Sequence, residues 1–347
     1  MIFIVPIEPI DQRYTKQWYY NIPKDLQKLD LPYRIVGDDN NDAGTTTGAF
    51  LNFAYTNKYK AKQVQQISDL FTMGQVSPGD KFLVTDAWNF VITAIRYMSD
   101  LLDIPVEIHG IWHAGAYDPS DILGMKMKGD VAHNVERSWF HACDYNYFAT
   151  EFHKNMFLSN LNIEKKHHYK AVRSGQPHSE LIFSLSRYVT EPKADIVLWP
   201  HRYNSDKQPE IAEQLNLHIT QKLNLSKPDY YALMGTAKAV FSCSLHENLG
   251  ISMMEGVMAG AIPIVPDRCS YREMYLPMFK YPSEWTSSWD NFQKHKQDVD
   301  EFIRYRVINY HQYENAMEAQ RGILSEHFMK ADIMYSKLRR NNEILFY

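Results

Sequence analysis

Two α/β domains with parallel sheets are the fold that the sequence predicts, and three observations support it. The length of 347 residues exceeds what one hydrophobic core usually covers, so two domains of about 150 residues each are expected. Hydrophobic residues make up 45% of the chain and charged residues 22%, as in an ordinary globular protein. Short apolar runs alternate with longer amphipathic stretches, which is the pattern of repeated strand–helix–strand units.

The first series of apolar runs predicts an amino-terminal domain, with helices such as 61–72 and 90–102 between its strands. The predicted strands are 2–5, 33–36, 81–85, 106–111 and 145–149. Each is a short apolar run of the kind that a buried parallel strand requires.

A second series follows a polar linker near 174–193 and predicts a carboxyl-terminal domain with helices at 227–235 and 251–259. Its predicted strands are 196–198, 217–220, 239–243 and 262–265. The run 298–340 has a helical pattern and is expected to pack across both domains. The expected boundaries are 1–178, 179–325, and a terminal helix at 326–347 that packs back on the first domain.

Charge and cysteine content exclude several classes of protein. The formal net charge of −4 gives no overall attraction to nucleic acid or anionic lipid. A local basic cluster at 165–173 is the exception, although such a run is more typical of a solvated face. Three widely spaced cysteines argue against a disulfide framework or a zinc knuckle and favour a reducing compartment. With no signal-like start and no apolar run of membrane-spanning length, we expect a monomer in the cytoplasm without membrane contact.

The segment 239–265 reads as strand, loop, helix, loop and strand. Its loop places Asn248, Leu249 and Gly250 at the start of the helix, where unpaired N–H groups and the positive end of the helix dipole attract an anion such as a diphosphate. Glu247 and Glu255 lie eight residues apart, a separation that suits the two ends of a sugar nucleotide. This pair alone is weak evidence, because surface helices carry many glutamates.

Two cations follow the first strand of the same domain. Arg202 and Lys207 lie directly after the strand 196–198, and a planar guanidinium together with an ammonium can clamp a diphosphate. The alternative is that both cations belong to a solvated loop. Together with Glu247 and Glu255 they predict a site for a nucleotide-diphosphate sugar, with UDP or GDP as the nucleotide.

At these residues the chain resembles the family-4 retaining glycosyltransferases of GT-B fold. That family has an Arg and a Lys five apart after the first strand of its second domain, and then a Glu-x7-Glu motif with Gly three residues after the first Glu. Arg202 and Lys207, and Glu247, Gly250 and Glu255, match this pattern. Within the group, tRNA-queuosine mannosyltransferases are the most similar in 84–88, 112–119, 147–157 and 199–209. The compact length also resembles phage-type enzymes that glycosylate bases in DNA.

The resemblance implies two Rossmann-like domains facing across a cleft, with a carboxyl-terminal helix crossing both. It implies that Glu247 contacts the transferred sugar, Glu255 the ribose, and Arg202 and Lys207 the diphosphate, without a metal. It also implies that His113 faces the sugar. Asp86 is a candidate partner or base for the acceptor hydroxyl, or else the cap of the helix that follows it.

Two departures from the family pattern concern the amino-terminal domain and the size of the second domain. In the family a Gly-rich loop usually follows the first strand, whereas in this chain the segment 6–15, which has no glycine, stands at that place. The segment 44–48, with its two glycines, is the candidate to take the role of that loop. Only about 30 residues separate Lys207 from the strand at Ala239. The second domain is therefore expected to lack one α/β element that larger relatives carry.

The predicted function is transfer of a hexose or pentose, with retention of configuration, to a hydroxyl of a modified nucleobase. A 5-hydroxymethylpyrimidine such as hydroxymethylcytosine in bacteriophage DNA is the first acceptor, tRNA queuosine the second, and a glycan the third. Two other classes stay open. One is a metal-dependent GT-A-like enzyme that uses the carboxylates at 36–42, although Asp, Asn and Gly are also common turn residues. The other is a sugar-nucleotide-binding protein without catalysis.

Overall fold

The computed structural model describes residues 1–10, 13–39, 52–127 and 129–339. In the first sheet, neighbouring strands pair in parallel in the order β2-β1-β3-β4-β5-β6. These strands are β1 Ile2–Val5, β2 Tyr33–Ile35, β3 Lys81–Val84, β4 Glu107–Ile111, β5 Tyr145–Phe148 and β6 Ala171–Arg173.

Helices connect consecutive strands of this sheet, as parallel pairing requires. They are α1 Tyr14–Lys28, α2 Phe53–Thr72, α3 Val91–Leu101, α4 Ile122–Lys126, α5 Asp130–Ala142 and α6 Glu151–Asn160, with a 3-10 turn at Lys165–Lys170. The alternation of strand and helix predicted for the first part of the chain is confirmed.

The second sheet has the order β11-β10-β9-β7-β8, again with parallel neighbours. Its strands are β7 Ala194–Trp199, β8 His218–Ile219, β9 Ala237–Phe241, β10 Ile262–Pro266 and β11 Lys280–Tyr281. The accompanying helices are α7 Ser179–Ser186, α8 Pro209–Gln214, α9 Lys227–Thr236, α10 Ile251–Met258, α11 Tyr271–Met274, α12 Trp289–Ile308 and α13 Glu314–Leu324. Helix α14, Asp332–Arg339, follows them.

The chain divides into two compact units, each built around one sheet. The first comprises Met1–Ala149, His153–Pro177 and Ala331–Tyr347, and the second Thr150–Phe152 and His178–Lys330. Among the described residues, no helix combines the length and the apolar character needed to cross a membrane.

The central strand β1 is apolar along its whole length because helices cover both faces of the first sheet. Phe3 and Phe82 stack with ring centroids 4.9 Å apart and pack with residues of α2, α3 and α5 on one face. Ile2 and Ile4 point to the other face, where Trp18 of α1 and Met334 of α14 cover them. The alternation with a period of two residues is therefore present, although both sets of side chains are buried.

Three helical features differ from the sequence-based prediction. Helix α2 begins eight residues earlier than predicted, at Phe53, because the Asn52 side chain caps it by accepting from the Tyr55 N–H at 3.1 Å. Helix α7 occupies part of the predicted linker and buries Leu181 and Leu185. The carboxyl-terminal run is three separate helices, interrupted by a 3-10 turn at Tyr310–Tyr313 and a π turn at Ser325–Met329.

Two strands, β6 and β11, were not predicted. They have three and two residues, which is too short for a recognisable periodicity. Each nevertheless pairs with its neighbour, at Asn146↔Ala171 for β6 and at Val265↔Lys280 for β11.

Helix α10 lies unusually close to β9, and a glycine makes this possible. A Cβ atom on Gly256 would be 2.5 Å from Cγ1 and 2.7 Å from Cγ2 of Val240. The helix can pack on the strand at this distance only without a side chain at position 256. This contact fixes the height at which α10 begins at the edge of the sheet.

We expect Gly256→Ala to destabilise the protein by about 1–3 kcal/mol, the usual cost of overpacking a core. Gly322 is the matched control, because it lies within α13 and its Cβ would meet nothing within 4 Å. Gly322→Ala should stabilise by about 0.5–1 kcal/mol through helix propensity. Urea unfolding of both variants measures this, and equal effects of the two substitutions would contradict the packing argument.

Candidate active site

Loops that follow β7, β9 and β10 meet at the carboxyl edge of the second sheet, where ligands of parallel α/β sheets bind. After β7 the chain forms a 3-10 turn at Ser205–Lys207, whose N-cap Asn204 accepts from the Ser205 N–H at 3.1 Å. Lys207 thereby points toward the loop between β9 and α10. This loop carries His246 and Glu247.

Lys207 is buried, with 6% of its surface exposed, and three oxygen atoms surround its ammonium group. Its Nζ donates to the Glu247 carboxylate at 3.0 Å and to the His246 carbonyl at 2.6 Å. It also lies 3.1 Å from Oδ2 of Asp206. The structure therefore joins two predicted site residues, the buried Lys207 and the half-buried Glu247, in one ion pair.

The pair stays ionised because each charge stabilises the other. Burial alone would raise the pKa of Glu247, but Lys207 outweighs it, and the net pKa is lowered. Burial alone would lower the pKa of Lys207, but Glu247 and Asp206 raise it above its ordinary value. At neutral pH Glu247 is consequently a carboxylate that accepts hydrogen bonds only.

Gly250 is the N-cap of α10 and adopts φ +78°, in the left-handed region that favours glycine. A Cβ at this position would lie 2.8 Å from Cε1 of Tyr271 and 3.2 Å from Cγ of Glu247. Leu249 is buried, and the Asn248 carbonyl accepts from Oγ1 of Thr150 at 3.0 Å. The amino-terminal N–H groups of α10 thus begin beside the Glu247 carboxylate, where the helix dipole favours an anion.

Arg202 and His201 differ sharply although they are neighbours. The Arg202 side chain is exposed and makes no ion pair with the described residues. His201 is buried, and its ring packs edge to face on Trp199 at 5.3 Å. Burial lowers the pKa of His201 to about 3, with a further contribution from Lys207. Arg202 is therefore the cation with an open coordination sphere, and His201 is neutral.

Glu255 forms no hydrogen bond with Lys207 or Glu247. Its hydrogen-bond donors are three residues of α9. Its Oε1 accepts from Nζ of Lys227 at 2.6 Å and from the Tyr231 hydroxyl at 3.3 Å, and its Oε2 accepts from the Tyr230 hydroxyl at 3.0 Å. Nζ of Lys227 also lies 5.0 Å and 4.5 Å from the two tyrosine ring centroids. Sequence reasoning missed this cluster, because nothing in the spacing of α9 marks Lys227 as the partner of Glu255.

In the first unit, His113 follows β4 and has partners on both ring nitrogens. Its Nε2 lies 2.7 Å from the Thr85 carbonyl and must donate to it. Its Nδ1 then accepts, with the Tyr14 hydroxyl at 3.2 Å and Nε2 of Gln176 at 3.3 Å. Burial lowers the pKa of His113, so the ring is neutral with its proton on Nε2.

Asp86 follows β3 and is buried in an ion pair with Lys60 at 3.1 Å. Its Oδ1 accepts from the Trp88 N–H at 3.2 Å, while Nζ of Lys60 donates to the Trp88 carbonyl and lies 4.5 Å from its ring. Nearby, Thr56 donates to Glu8, and burial raises the pKa of Glu8. Sequence reasoning missed Lys60, Thr56 and Glu8.

The missed residues carried a signal. Thr56, Lys60 and Gln63 lie on one face of α2 and are all buried. The predicted start at residue 61 left two of them outside the helix. Recognising Asn52 as an N-cap would have placed this polar stripe on the face that packs on the sheet.

The loop after His113 is held by Glu136 of α5. Its two carboxylate oxygens accept from the backbone N–H groups of Ala116 and Tyr117. Burial raises the pKa of Glu136 to about 7 despite these hydrogen bonds. Trp112 and Trp139 on either side of this region belong to the hydrophobic core rather than to an exposed stacking platform.

The basic cluster at 165–173 lies at the opposite edge of the first sheet from Asp86 and His113. The 3-10 turn Lys165–Lys170 leads into the amino end of β6, whereas Asp86 and His113 follow the carboxyl ends of their strands. Nζ of Lys170 donates to the carbonyls of His141 and Cys143, both at 2.8 Å, and is structural. Tyr169 is 72% exposed.

The glycine-containing stretch 44–48 lies outside the described residues, as do residues 40–42 of the acidic stretch 36–42. Within the described part of the chain, no three His, Cys, Asp or Glu side chains converge in a way that could hold a metal. All three cysteines are free thiols.

We expect Lys207→Met to cost about 3 kcal/mol of stability, because it leaves the half-buried Glu247 carboxylate without its cation. The control is Lys222→Met, which removes an exposed partner of Glu213 at 2.5 Å and should change stability little. Urea unfolding at neutral pH compares them. Equal stability of the two variants would show that the Lys207–Glu247 pair stabilises the protein no more than an exposed pair does.

Comparisons with known proteins give relatives over part of the chain and structural neighbours over nearly all of it. No family model matches. A tRNA-queuosine alpha-mannosyltransferase of Drosophila melanogaster is 24% identical, covering 39% of this chain and 50% of that protein. A protein named "Putative glycosyltransferase ORF330" of Acidianus filamentous virus 2 is also 24% identical, covering 39% of this chain and 40% of that protein. The chain thus spans half or less of these curated relatives.

Solved structures align over the full architecture. Sucrose-phosphate synthase from Thermosynechococcus elongatus gives a TM-score of 0.63 at 10% identity, covering 97% of this chain and 98% of that one. The catalytic domain of starch synthase IV from Arabidopsis thaliana, solved with ADP and acarbose, gives 0.58 at 10% identity with the same coverage. The predicted GT-B fold is confirmed by these structures, and the predicted likeness to tRNA-queuosine mannosyltransferases and to a viral glycosyltransferase is confirmed by the two relatives.

Proposed function

We propose that the protein is a retaining glycosyltransferase that moves a hexose or pentose from a nucleotide-diphosphate sugar to an acceptor hydroxyl. The observation that carries the proposal is the Lys207–Glu247 ion pair at the amino terminus of α10, at the same sheet edge as the exposed Arg202. A permanent carboxylate, a helix amino terminus and an open guanidinium at one sheet edge suit a ligand with hydroxyls at one end and a diphosphate at the other.

In this proposal Arg202 binds the diphosphate through its planar fork, and the N–H groups that begin α10 bind it from the other side. Both stabilise the charge that develops on the nucleoside diphosphate as the bond to the sugar breaks. UDP or GDP is the nucleotide, and no metal takes part in charge stabilisation. Lys207 acts mainly on Glu247, since its ammonium is already surrounded by three oxygens.

Glu247 accepts hydrogen bonds from hydroxyls of the transferred sugar, and Glu255 from a ribose hydroxyl. The ionised state of Glu247 supports this role, because a carboxylate orients hydroxyl donors without competing as a donor itself. Retention of configuration is proposed from the motif that Arg202, Lys207, Glu247 and Glu255 share with the retaining family. Analysis of the product anomer by NMR tests it, and an inverted product would exclude it.

For the acceptor we propose a hydroxyl on a modified nucleobase, bound in the first unit near Asp86 and His113. A 5-hydroxymethylpyrimidine in DNA is the first choice and a queuosine-type base in tRNA the second. The named activity of the Drosophila relative on tRNA queuosine supports a nucleobase acceptor. The three free cysteines support a reducing compartment, and we place the protein, as a monomer, in the cytoplasm.

The donor half is tested by binding of UDP, GDP, ADP and their glucose or mannose conjugates, followed by thermal shift. A true donor should raise the melting temperature through mass action. Arg202→Ala should weaken its binding at least about tenfold through loss of a charge-assisted hydrogen bond. Lys222→Ala is the control, since that lysine pairs with Glu213 on an exposed surface.

Catalysis is separated from simple binding by slow hydrolysis of the donor. Glu247→Gln should abolish hydrolysis while UDP alone still binds. If neither the native protein nor the variant hydrolyses or transfers sugar, the protein is a binder without catalysis. If none of the nucleotides binds, the proposed function is wrong.

The acceptor half is tested by mass spectrometry of nucleic acids incubated with the protein and its donor. We expect a hexose or pentose mass to be added to hydroxymethylcytosine-containing DNA, and no addition to the same DNA with unmodified cytosine. Modification of bulk tRNA alone would assign the second acceptor. Modification of neither would exclude a nucleobase acceptor.

A further inference from the structure

Several buried polar atoms around Glu247 have no hydrogen-bond partner in the described structure. They belong to loops after three adjacent strands and to the end of α11. They are Nε2 of His201, Oγ of Ser244, Oγ of Ser270 and the hydroxyl of Tyr275. Each of the four residues is more than nine-tenths buried.

Three of these residues can be placed next to Glu247. The Ser270 N–H donates to the Glu247 carbonyl at 3.4 Å. Tyr275 packs edge to face on Tyr271 with ring centroids 5.4 Å apart, and Tyr271 lies against Gly250 beside Glu247. The Glu247 charge also acts on His201 and raises the pKa that burial lowers. Three of the four unpartnered residues therefore lie in segments that neighbour Glu247.

Leaving such atoms unpaired is costly, because a buried donor or acceptor without a partner loses its hydrogen bonds to water. Native proteins rarely keep several at one place without a reason. Other polar groups of the same region do find partners. The Tyr281 hydroxyl, for example, donates to the Ser242 carbonyl at 2.7 Å and lies 3.0 Å from Oγ1 of Thr286.

We propose that His201, Ser270 and Tyr275 read the hydroxyl groups of an uncharged sugar bound against Glu247. This inference rests on the proposed function and adds the chemical class of the transferred group. A neutral imidazole, a serine hydroxyl and a tyrosine hydroxyl can each pair with a sugar hydroxyl, which both donates and accepts.

The charge balance of the site sets the class of sugar. Lys207 is already matched by Glu247 and Asp206, and the proposed function assigns Arg202 to the diphosphate, so neither cation remains for a second anion. A sugar that carries a carboxylate would meet the Glu247 charge without compensation, and its binding would be disfavoured. The site therefore takes hexoses or pentoses and rejects uronic acids.

Access to these atoms comes from the side of Glu247, whose side chain keeps 17% of its surface exposed. The four atoms themselves have no exposed surface, so side-chain rotation accompanies binding. The ligand then supplies the partners that the unbound protein lacks. The unpartnered groups of these residues are expected to lower the stability of the unbound protein and to raise its affinity for the sugar.

The test compares the melting temperature of the unbound protein with its affinity for a sugar conjugate. Tyr275→Phe is the test variant, and Tyr281→Phe is its control. Tyr275→Phe removes an unpartnered hydroxyl, so the melting temperature of the unbound protein should stay equal or rise. Tyr281→Phe removes a hydroxyl with two partners and should lower it. Ser270→Ala should behave as Tyr275→Phe does.

Binding is measured with UDP, UDP-glucose, UDP-glucuronic acid, GDP and GDP-mannose by calorimetry. In the native protein a sugar conjugate should bind more tightly than its nucleotide, and this gain should fall about fivefold in Tyr275→Phe. The affinity for the nucleotide alone should not change. Tyr281→Phe should keep the full gain, and UDP-glucuronic acid should show none.

The outcomes separate the two levels of inference. If nucleotides bind but the sugar gain is the same in all variants, or if Tyr275→Phe lowers the melting temperature as much as Tyr281→Phe, the hydroxyl-reading role is wrong and the donor site stands. Tight binding of UDP-glucuronic acid would overturn the class of sugar. If no nucleotide or conjugate binds, the proposed function fails and this inference fails with it.

Discussion

The ion pair between Lys207 and Glu247 is the interaction on which the rest of the candidate site depends. Lys207 is buried and Glu247 half-buried, and each charge offsets the effect of burial on its partner, so the pKa of Glu247 is lowered and the pKa of Lys207 is raised. The pair also has a geometric effect, because it ties the turn after β7 to the loop before α10. Gly250 completes the arrangement by letting α10 begin directly beside the carboxylate.

In both units, polar side chains gather in the loops at the carboxyl edge of the sheet, but the side chains and their partners differ. In the second unit the edge collects a charged pair, an exposed guanidinium and several neutral polar groups. In the first unit it collects buried groups whose hydrogen bonds are largely satisfied, such as the Asp86–Lys60 pair and the His113 ring. Unpaired polar groups at the second edge suit a small polar ligand that hydrogen-bonds to them, whereas the partners at the first edge hold the Asp86 and His113 side chains in fixed positions.

Much of the fold could be predicted from the sequence because a parallel strand that is buried on both faces consists mainly of consecutive apolar residues. Ile2–Val5 and Lys81–Val84 are examples. The short strands β6 and β11 were missed, and the start of α2 was predicted too late because its buried face is polar at Thr56 and Lys60. Local spacing indicated Arg202, Lys207, Glu247 and Glu255 as site candidates. It could not show that Lys207 pairs with Glu247 forty residues away, or that Lys227 holds Glu255, because those contacts exist only after the strands are aligned.

Glu255 already accepts hydrogen bonds from Lys227, Tyr230 and Tyr231. A carboxylate offers about four acceptor positions in total, so a single position is left for anything else. If a ribose binds here, its two hydroxyls compete for one lone pair instead of each receiving its own. Selectivity for the nucleotide would then come from the base and the diphosphate, and a deoxyribose donor would lose little. The protein would thus be strict toward the group it transfers and tolerant toward the pentose of its carrier.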